Sequence, residues 1–266
     1  MISRLFAHFK PYEGITLRVF RTAPAGSGDG VPKSYYSVFK LPRDAKCGPM
    51  VVDALDYIKR HIDPTLAYRR ACCEGVCGSC AINVDGKNVL ACTTRLPANG
   101  KTVTLRPLPH FRVVRDLVVD MDEFFANYKK VKPWMRGIEP NRGQIGDDNG
   151  GRPHKELRQS PKQRAALDGL YECIQCGCCS AGCPEYWWGH NSKDSRRAFL
   201  GPAALLSACR WLRDSRDGAK KKRIAELRAT QKGAGNCHTI LGCTASCPKG
   251  LNPAKAVHDV MDMLGL

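Results

Sequence analysis

Along residues 15–21 and 35–41 apolar and polar side chains alternate, which predicts two β-strands. The glycine-rich stretch between Pro24 and Pro32 separates them as a loop. Residues 50–60 change period, with Val51, Leu55 and Ile58 on one helical face. Residues 81–91 read as a hairpin whose Asp85-Gly86 pair suits a type I′ turn, and residues 102–106 add a closing strand. After Pro109 the period becomes helical. Val113, Val114, Leu117, Val118, Met121, Phe124 and Phe125 predict one helix with a broad apolar face. Residues 137–160, rich in Gly, Asn, Asp and charge, read as a long exposed loop. Ser160-Pro161 then starts a helix toward Tyr171, and Gly201-Pro202 starts another that ends near Arg213. Asn252-Pro253 starts the last, with Ala256, Val257, Val260, Met261 and Leu264 inward.

This order predicts an α+β chain in two domains, each long enough to bury its own core. Residues 1–115 open as a β-grasp domain, and residues 116–266 form an all-α domain. No apolar run approaches the ~18 residues of a spanning helix, so the chain is expected to be soluble or peripheral to a membrane. The first ten residues carry Arg4, His8 and Lys10, no acid, and apolar Ile2, Leu5, Phe6 and Phe9. They suit either a weak amphipathic presequence or an ordinary basic first segment.

Composition narrows the chemistry. Fifteen cysteines in 266 residues, with 43% hydrophobic residues, do not fit a short secreted disulfide scaffold; they point to thiols made in a reducing compartment. The net charge of +17 favours anionic partners. The strongest basic run, residues 220–223, reads as a solvated helix face, and it holds none of the aromatics a nucleic-acid binder interleaves with its cations. Nucleic acid is therefore not expected as a partner.

The cysteine spacings carry the function. Cys72, Cys77 and Cys80 have the plant-type C-x4-C-x2-C spacing, and Cys92 completes four ligands for a 2Fe-2S cluster. Gly75 and Gly78 let the backbone wrap closely and aim amides at the sulfurs. Further on, Cys173, Cys176, Cys179 and Cys183-Pro184 form the bacterial-ferredoxin run C-x2-C-x2-C-x3-C-P, whose fourth cysteine ligates the other cluster of a pair. The second run is Cys237, Cys243 and Cys247-Pro248, with Ile240 in the middle cysteine's place. Exchanging fourth cysteines assigns Cys173, Cys176, Cys179 and Cys247 to a 4Fe-4S cluster. Cys183, Cys237 and Cys243 remain, three ligands for a 3Fe-4S cluster. Structural zinc sites, the competing reading, prefer paired knuckles that close a tetrahedron. Of the four other cysteines, Cys209 lies in an apolar helical stretch and reads as a buried small hydrophobe, Cys73 and Cys178 each adjoin a ligand, and Cys47 has no assignment.

The constellation resembles the iron-sulfur subunit of succinate dehydrogenase, respiratory complex II. The matching residues are C-C-E-G-V-C-G-S-C at 72–80, L-A-C at 90–92, R-P-L-P-H at 106–110 and D-G-L-Y-E-C-I-Q-C at 168–176. They continue as C-P-E-Y-W-W at 183–188, L-G-P-A at 200–203, C-H-T-I at 237–240 and C-P-K-G-L-N-P at 247–253. The resemblance implies that electrons from succinate, oxidised at FAD in a flavoprotein partner, pass through the three clusters to ubiquinone at membrane-anchor subunits. It implies a peripheral subunit on the matrix side of the mitochondrial inner membrane, or on the cytoplasmic face of a bacterial one. By the same resemblance Trp188 hydrogen-bonds the quinone, Pro184, Trp187 and Ile240 form its apolar wall, and His238 is a proton-relay or cluster-tuning group. Fumarate reductase shares the cluster plan, but Trp187, Trp188 and His238 belong to ubiquinone-using members. Two departures stand out: Cys73 replaces the family's usual arginine, and residues 189–199 make a longer link than the family's.

Overall fold

The computed structural model describes residues 14–23, 33–41, 47–97, 101–136, 157–191, 199–230 and 233–266. The possible presequence, the 24–32 loop, most of the 137–160 loop and most of the 189–199 link lie outside the described residues. Contacts group Met1–Met121 with Ile174–Cys178 as one unit, and Asp122–Cys173 with Cys179–Leu266 as the other. This differs from a single cut at residue 115: the division follows Met121, and a short segment from the middle of the chain joins the first unit.

The first unit is built on a five-stranded mixed sheet in the order β2-β1-β5-β3-β4. Its strands are β1 (Thr16–Thr22), β2 (Ser34–Lys40), β3 (Ala81–Val84), β4 (Lys87–Leu90) and β5 (Val103–Arg106). β1 runs antiparallel to β2 and parallel to β5, as Leu17 faces Val103. Alternation along β1 buries Leu17 and Val19, and helix α1 (Val51–His61) buries Val51, Leu55 and Ile58, as its period predicts. Asp85 and Gly86 both have positive φ, the backbone a type I′ turn requires between β3 and β4. The start of α1 is tied to the turn after β4 that carries Cys92: Val51 N donates to Thr94 O at 2.9 Å and Val52 N to Ala91 O at 3.0 Å.

The helix expected from Val113 to Phe125 does not form. Residues there make two short strands, β6 (Val113–Arg115) and β7 (Val118–Val119), and helix α2 covers only Asp122–Lys130. Asp116, fully buried at φ +49°, accepts from Thr22 N at 2.8 Å and Ala67 N at 2.9 Å. Satisfying those two distant amides outweighs the helical spacing, and the β-branched valines suit strands.

The second unit is helical: α2, α3 (Pro161–Ala165), α4 (Cys178–Ala181, which begins on the last residue of the first unit), α5 (Pro184–Asn191), α6 (Pro202–Arg213), α7 (Lys220–Ala229), α8 (Gly242–Ala245) and α9 (Pro253–Leu264). Ser160 caps α3 in a capping box with Gln163, but the helix stops at Ala165 and turns carry the chain to Tyr171. α6 and α9 supply much of this unit's core, burying Leu205, Leu206, Leu212, Val257 and Val260, and Arg213 pairs with Asp259 at 2.9 Å. Met261, expected inward, is half-buried.

The basic run at the start of α7 is not wholly solvated. Lys220, Lys221 and Lys222 are exposed, whereas Arg223 is buried: its Nη2 lies 2.7 Å from Asp217 Oδ2, and its Nη1 donates to Lys132 O at 2.8 Å. Helical spacing turns the fourth cation inward, where a carboxylate and carbonyls satisfy it. No helix among the described residues is long and apolar enough to cross a membrane.

Candidate metal centres

None of the fifteen cysteines is in a disulfide. Among the described residues no three Cys, His, Asp or Glu side chains are arranged to hold a single metal ion.

The loop of residues 72–80 curls because Cys73, Gly75 and Gly78 all adopt positive φ. That curl points three amides at one sulfur: the N–H groups of Glu74, Val76 and Cys77 donate to Cys72 Sγ at 3.5, 3.3 and 3.3 Å. They hold the Cys72 thiol down to about 6. Cys80 and Cys92 are buried with their sulfurs 3.3 Å apart, and burial pushes the Cys80 thiol up to about 12. A buried thiol pair beside an amide-cradled one fits a 2Fe-2S cluster: bound iron neutralises the thiolates, and amide donors stabilise anionic sulfur. Close packing leaves little slack, since a Cβ on Gly75 would stand 2.8 Å from Thr93 Cγ2.

Within the same unit, segment Ile174–Cys178 lies against this loop. A Cβ on Gly78 would meet the Ile174 carbonyl oxygen at 2.6 Å and Cys176 Cβ at 3.0 Å. Asn88 Nδ2 donates to Cys178 O at 3.3 Å. A hydrogen bond from Cys178 brings the Cys176 thiol down to about 7 against the opposing effect of burial. Cys178 is thereby a neighbour of Cys176, a contact that its spacing alone did not reveal. Cys173, Cys179 and Cys247 belong to the second unit, Cys179 buried and the other two half-buried.

The third set lies wholly in the second unit. Burial pushes the Cys183 thiol up to about 11, and Cys243 and Cys237 add to the rise because they lie close by. Burial likewise raises Cys243, with a smaller contribution from Cys237. Three mutually close thiols are a donor set that fits a cluster with three cysteine ligands. Cys183 leads into α5 and Cys243 lies in α8, so two separate segments meet here.

Close in sequence to this set, three large apolar side chains are exposed. Trp188 is 56% exposed, Ile240 58% and Leu241 54%. Trp187 packs edge-on against Trp188, ring centroids 5.0 Å apart, and Pro184 is half-buried at the start of α5. His238 Nε2 lies 3.3 Å from Glu185 Oε2. Glu185 and Leu241 escaped the sequence reading: an acid in a first helical turn and a leucine between glycine and isoleucine carry no distinguishing spacing. Cys209 is buried in α6, and burial pushes its thiol up to about 11, as for a packed hydrophobe. Cys73 is exposed and Cys47 half-buried.

Residues 16–126 match a family described as a 2Fe-2S iron-sulfur cluster binding domain, and residues 172–252 match a 4Fe-4S dicluster domain. The chain is similar to the mitochondrial succinate dehydrogenase [ubiquinone] iron-sulfur subunit of Dictyostelium discoideum, 50% identical over 82% of this chain and 73% of that protein. It is 48% identical to iron-sulfur subunit 1 of Oryza sativa subsp. japonica, over 80% of this chain and 70% of that one. A chain of the Mycobacterium smegmatis Sdh1 complex in the apo form shares the fold with a TM-score of 0.70 at 24% identity, covering 96% of each chain. With both cluster domains matched in order and half of the aligned residues identical to a curated relative, the chain belongs to the succinate dehydrogenase iron-sulfur subunits.

Proposed function

We propose that this electron-transfer subunit of complex II carries three clusters and delivers electrons to ubiquinone at the surface formed by α5 and the 238–241 loop. The observation that carries this reading is that the segments around Cys183 and Cys237 meet, through Gly182 against Gly242 and Glu185 against His238, and carry exposed Trp188, Ile240 and Leu241. Cys72, Cys77, Cys80 and Cys92 hold the 2Fe-2S cluster; Cys173, Cys176, Cys179 and Cys247 the 4Fe-4S cluster; Cys183, Cys237 and Cys243 a 3Fe-4S cluster. When bound, the clusters supply one-electron carriers. The β-grasp and all-α ferredoxin folds are the scaffolds this reading assigns to the two ends of the chain.

At the exit, Trp188 can donate from its indole nitrogen to a quinone carbonyl, and Pro184, Trp187 and Ile240 exclude water around it. His238 is the proton-relay or cluster-tuning group beside it. Indoles are favoured where one side is apolar and the other wet, which suits contact with membrane-anchor subunits. The upstream partner is the FAD-containing flavoprotein, and the subunit is peripheral to the mitochondrial inner membrane on its matrix side. No role in nucleic-acid binding is assigned.

The test is Trp188→Leu in the assembled complex. Ubiquinone reduction should be lost while succinate still reduces the clusters; unchanged quinone reduction refutes the exit site. Copurification of a flavoprotein and membrane anchors with the native chain checks the partners.

A further inference from the structure

Trp188 and His238, the two polar side chains assigned to the quinone, are held differently. Trp188 is braced by Trp187. The His238 side chain is 69% exposed, on a loop whose next residue, Thr239, has φ +55° and whose Leu241 has φ +63°. Thr239 Oγ1 lies 3.0 Å from His258 Nε2 on α9, which ties down the backbone but not the imidazole. The contact recorded for the ring is with Glu185, in the first turn of α5, whose side chain is 14% exposed. A carboxylate so nearly buried has few rotamers open to it, whereas an exposed histidine has many.

We infer that Glu185 is the positioning residue for His238. Its Oε2, 3.3 Å from Nε2, is placed to take up the Nε2 proton as a hydrogen-bond acceptor and so to restrict the ring, leaving Nδ1 as the nitrogen available to the quinone. The contact also joins the segment after Cys183 to the segment after Cys237, so the ring is referenced to α5, which carries Trp188. Orientation set before binding lowers the entropy lost when substrate arrives. This rests on the exit site proposed above.

The experiment compares variants in the assembled, cluster-loaded complex with a water-soluble ubiquinone analogue as acceptor. Glu185→Ala should raise KM for the quinone about three- to tenfold, with the three-iron paramagnetic signal retained. Glu185→Gln should restore KM to within about twofold, because the amide oxygen still accepts the imidazole proton. If Glu185 acts through the ring, Glu185→Ala placed on His238→Ala should add nothing. An unchanged KM in Glu185→Ala, effects that add in the double variant, or loss of the three-iron signal with Glu185→Ala would each overturn the inference. Trp188→Leu separates the failures: if it reduces quinone normally the exit site itself is misplaced, and if it is inactive while Glu185→Ala is unchanged, only the role of Glu185 fails.

Discussion

Gly182 and Gly242 meet backbone to backbone, so closely that a Cβ on Gly242 would stand 2.3 Å from the Gly182 carbonyl oxygen. Each precedes a cysteine, and the contact brings Cys183 and Cys243 to one place from positions sixty residues apart in sequence. A Cβ on Gly182 would in turn meet Ser246 Oγ at 2.5 Å.

Gly242→Ala should therefore separate the two segments. Forcing a methyl group into a packed backbone contact destabilises by about 1–3 kcal/mol, and iron should fall from about nine to about six per chain as the three-iron site is lost. Iron analysis and paramagnetic resonance of the oxidised protein check this; full retention of the three-iron signal contradicts it.

Ile240→Cys supplies a thiol where the second cysteine run lacks one. Iron should rise to about ten per chain as the three-iron cluster converts toward a cubane. A variant that keeps only the three-iron signal shows that Ile240 does not face the cluster's open corner.

Gly78 and Gly86 separate crowding from backbone strain. Both have positive φ, but Gly78 has Ile174 O and Cys176 against it, while nothing lies within 4 Å of a Cβ on Gly86. Gly86→Ala should cost about 1 kcal/mol in thermal unfolding and keep all clusters. Gly78→Ala should in addition displace Cys176 or the 72–80 loop, read as loss of the 2Fe-2S or 4Fe-4S absorbance.

Arg223 and Lys222 are neighbours in a basic run with opposite environments. Burial alone would raise Asp217, but hydrogen bonds from Arg223 and the Arg136 amide keep it below the usual carboxylate range, hence charged. Arg223→Met leaves that buried charge unpaired and should destabilise the subunit by about 3–5 kcal/mol. Lys222→Ala should stay within about 0.5 kcal/mol. Equal melting temperatures for the two variants would refute the buried pair.

The strands of the five-stranded sheet, α1, the type I′ turn and the starts of α6 and α9 were legible in the sequence because each depends on local period, on turn residues or on a proline in the first helical turn. The 2Fe-2S and 4Fe-4S domains were legible for a related reason: thiolate spacing on a tight loop is a local constraint, and iron tolerates few alternatives. Residues 113–119 were misread because their valines satisfy a helical period as well as a strand. What chose between them was Asp116 bonding to Thr22 and Ala67, amides 94 and 49 residues away. Arg223 turned inward for the same kind of reason, since its partners come from Asp217 and from carbonyls near residue 132. The Glu185–His238 contact and the Gly182–Gly242 meeting exist only once two distant segments pack. Side-chain period and ligand spacing are encoded within a few residues; the satisfaction of a buried polar group, and the closeness of two glycines, are properties of the folded chain alone.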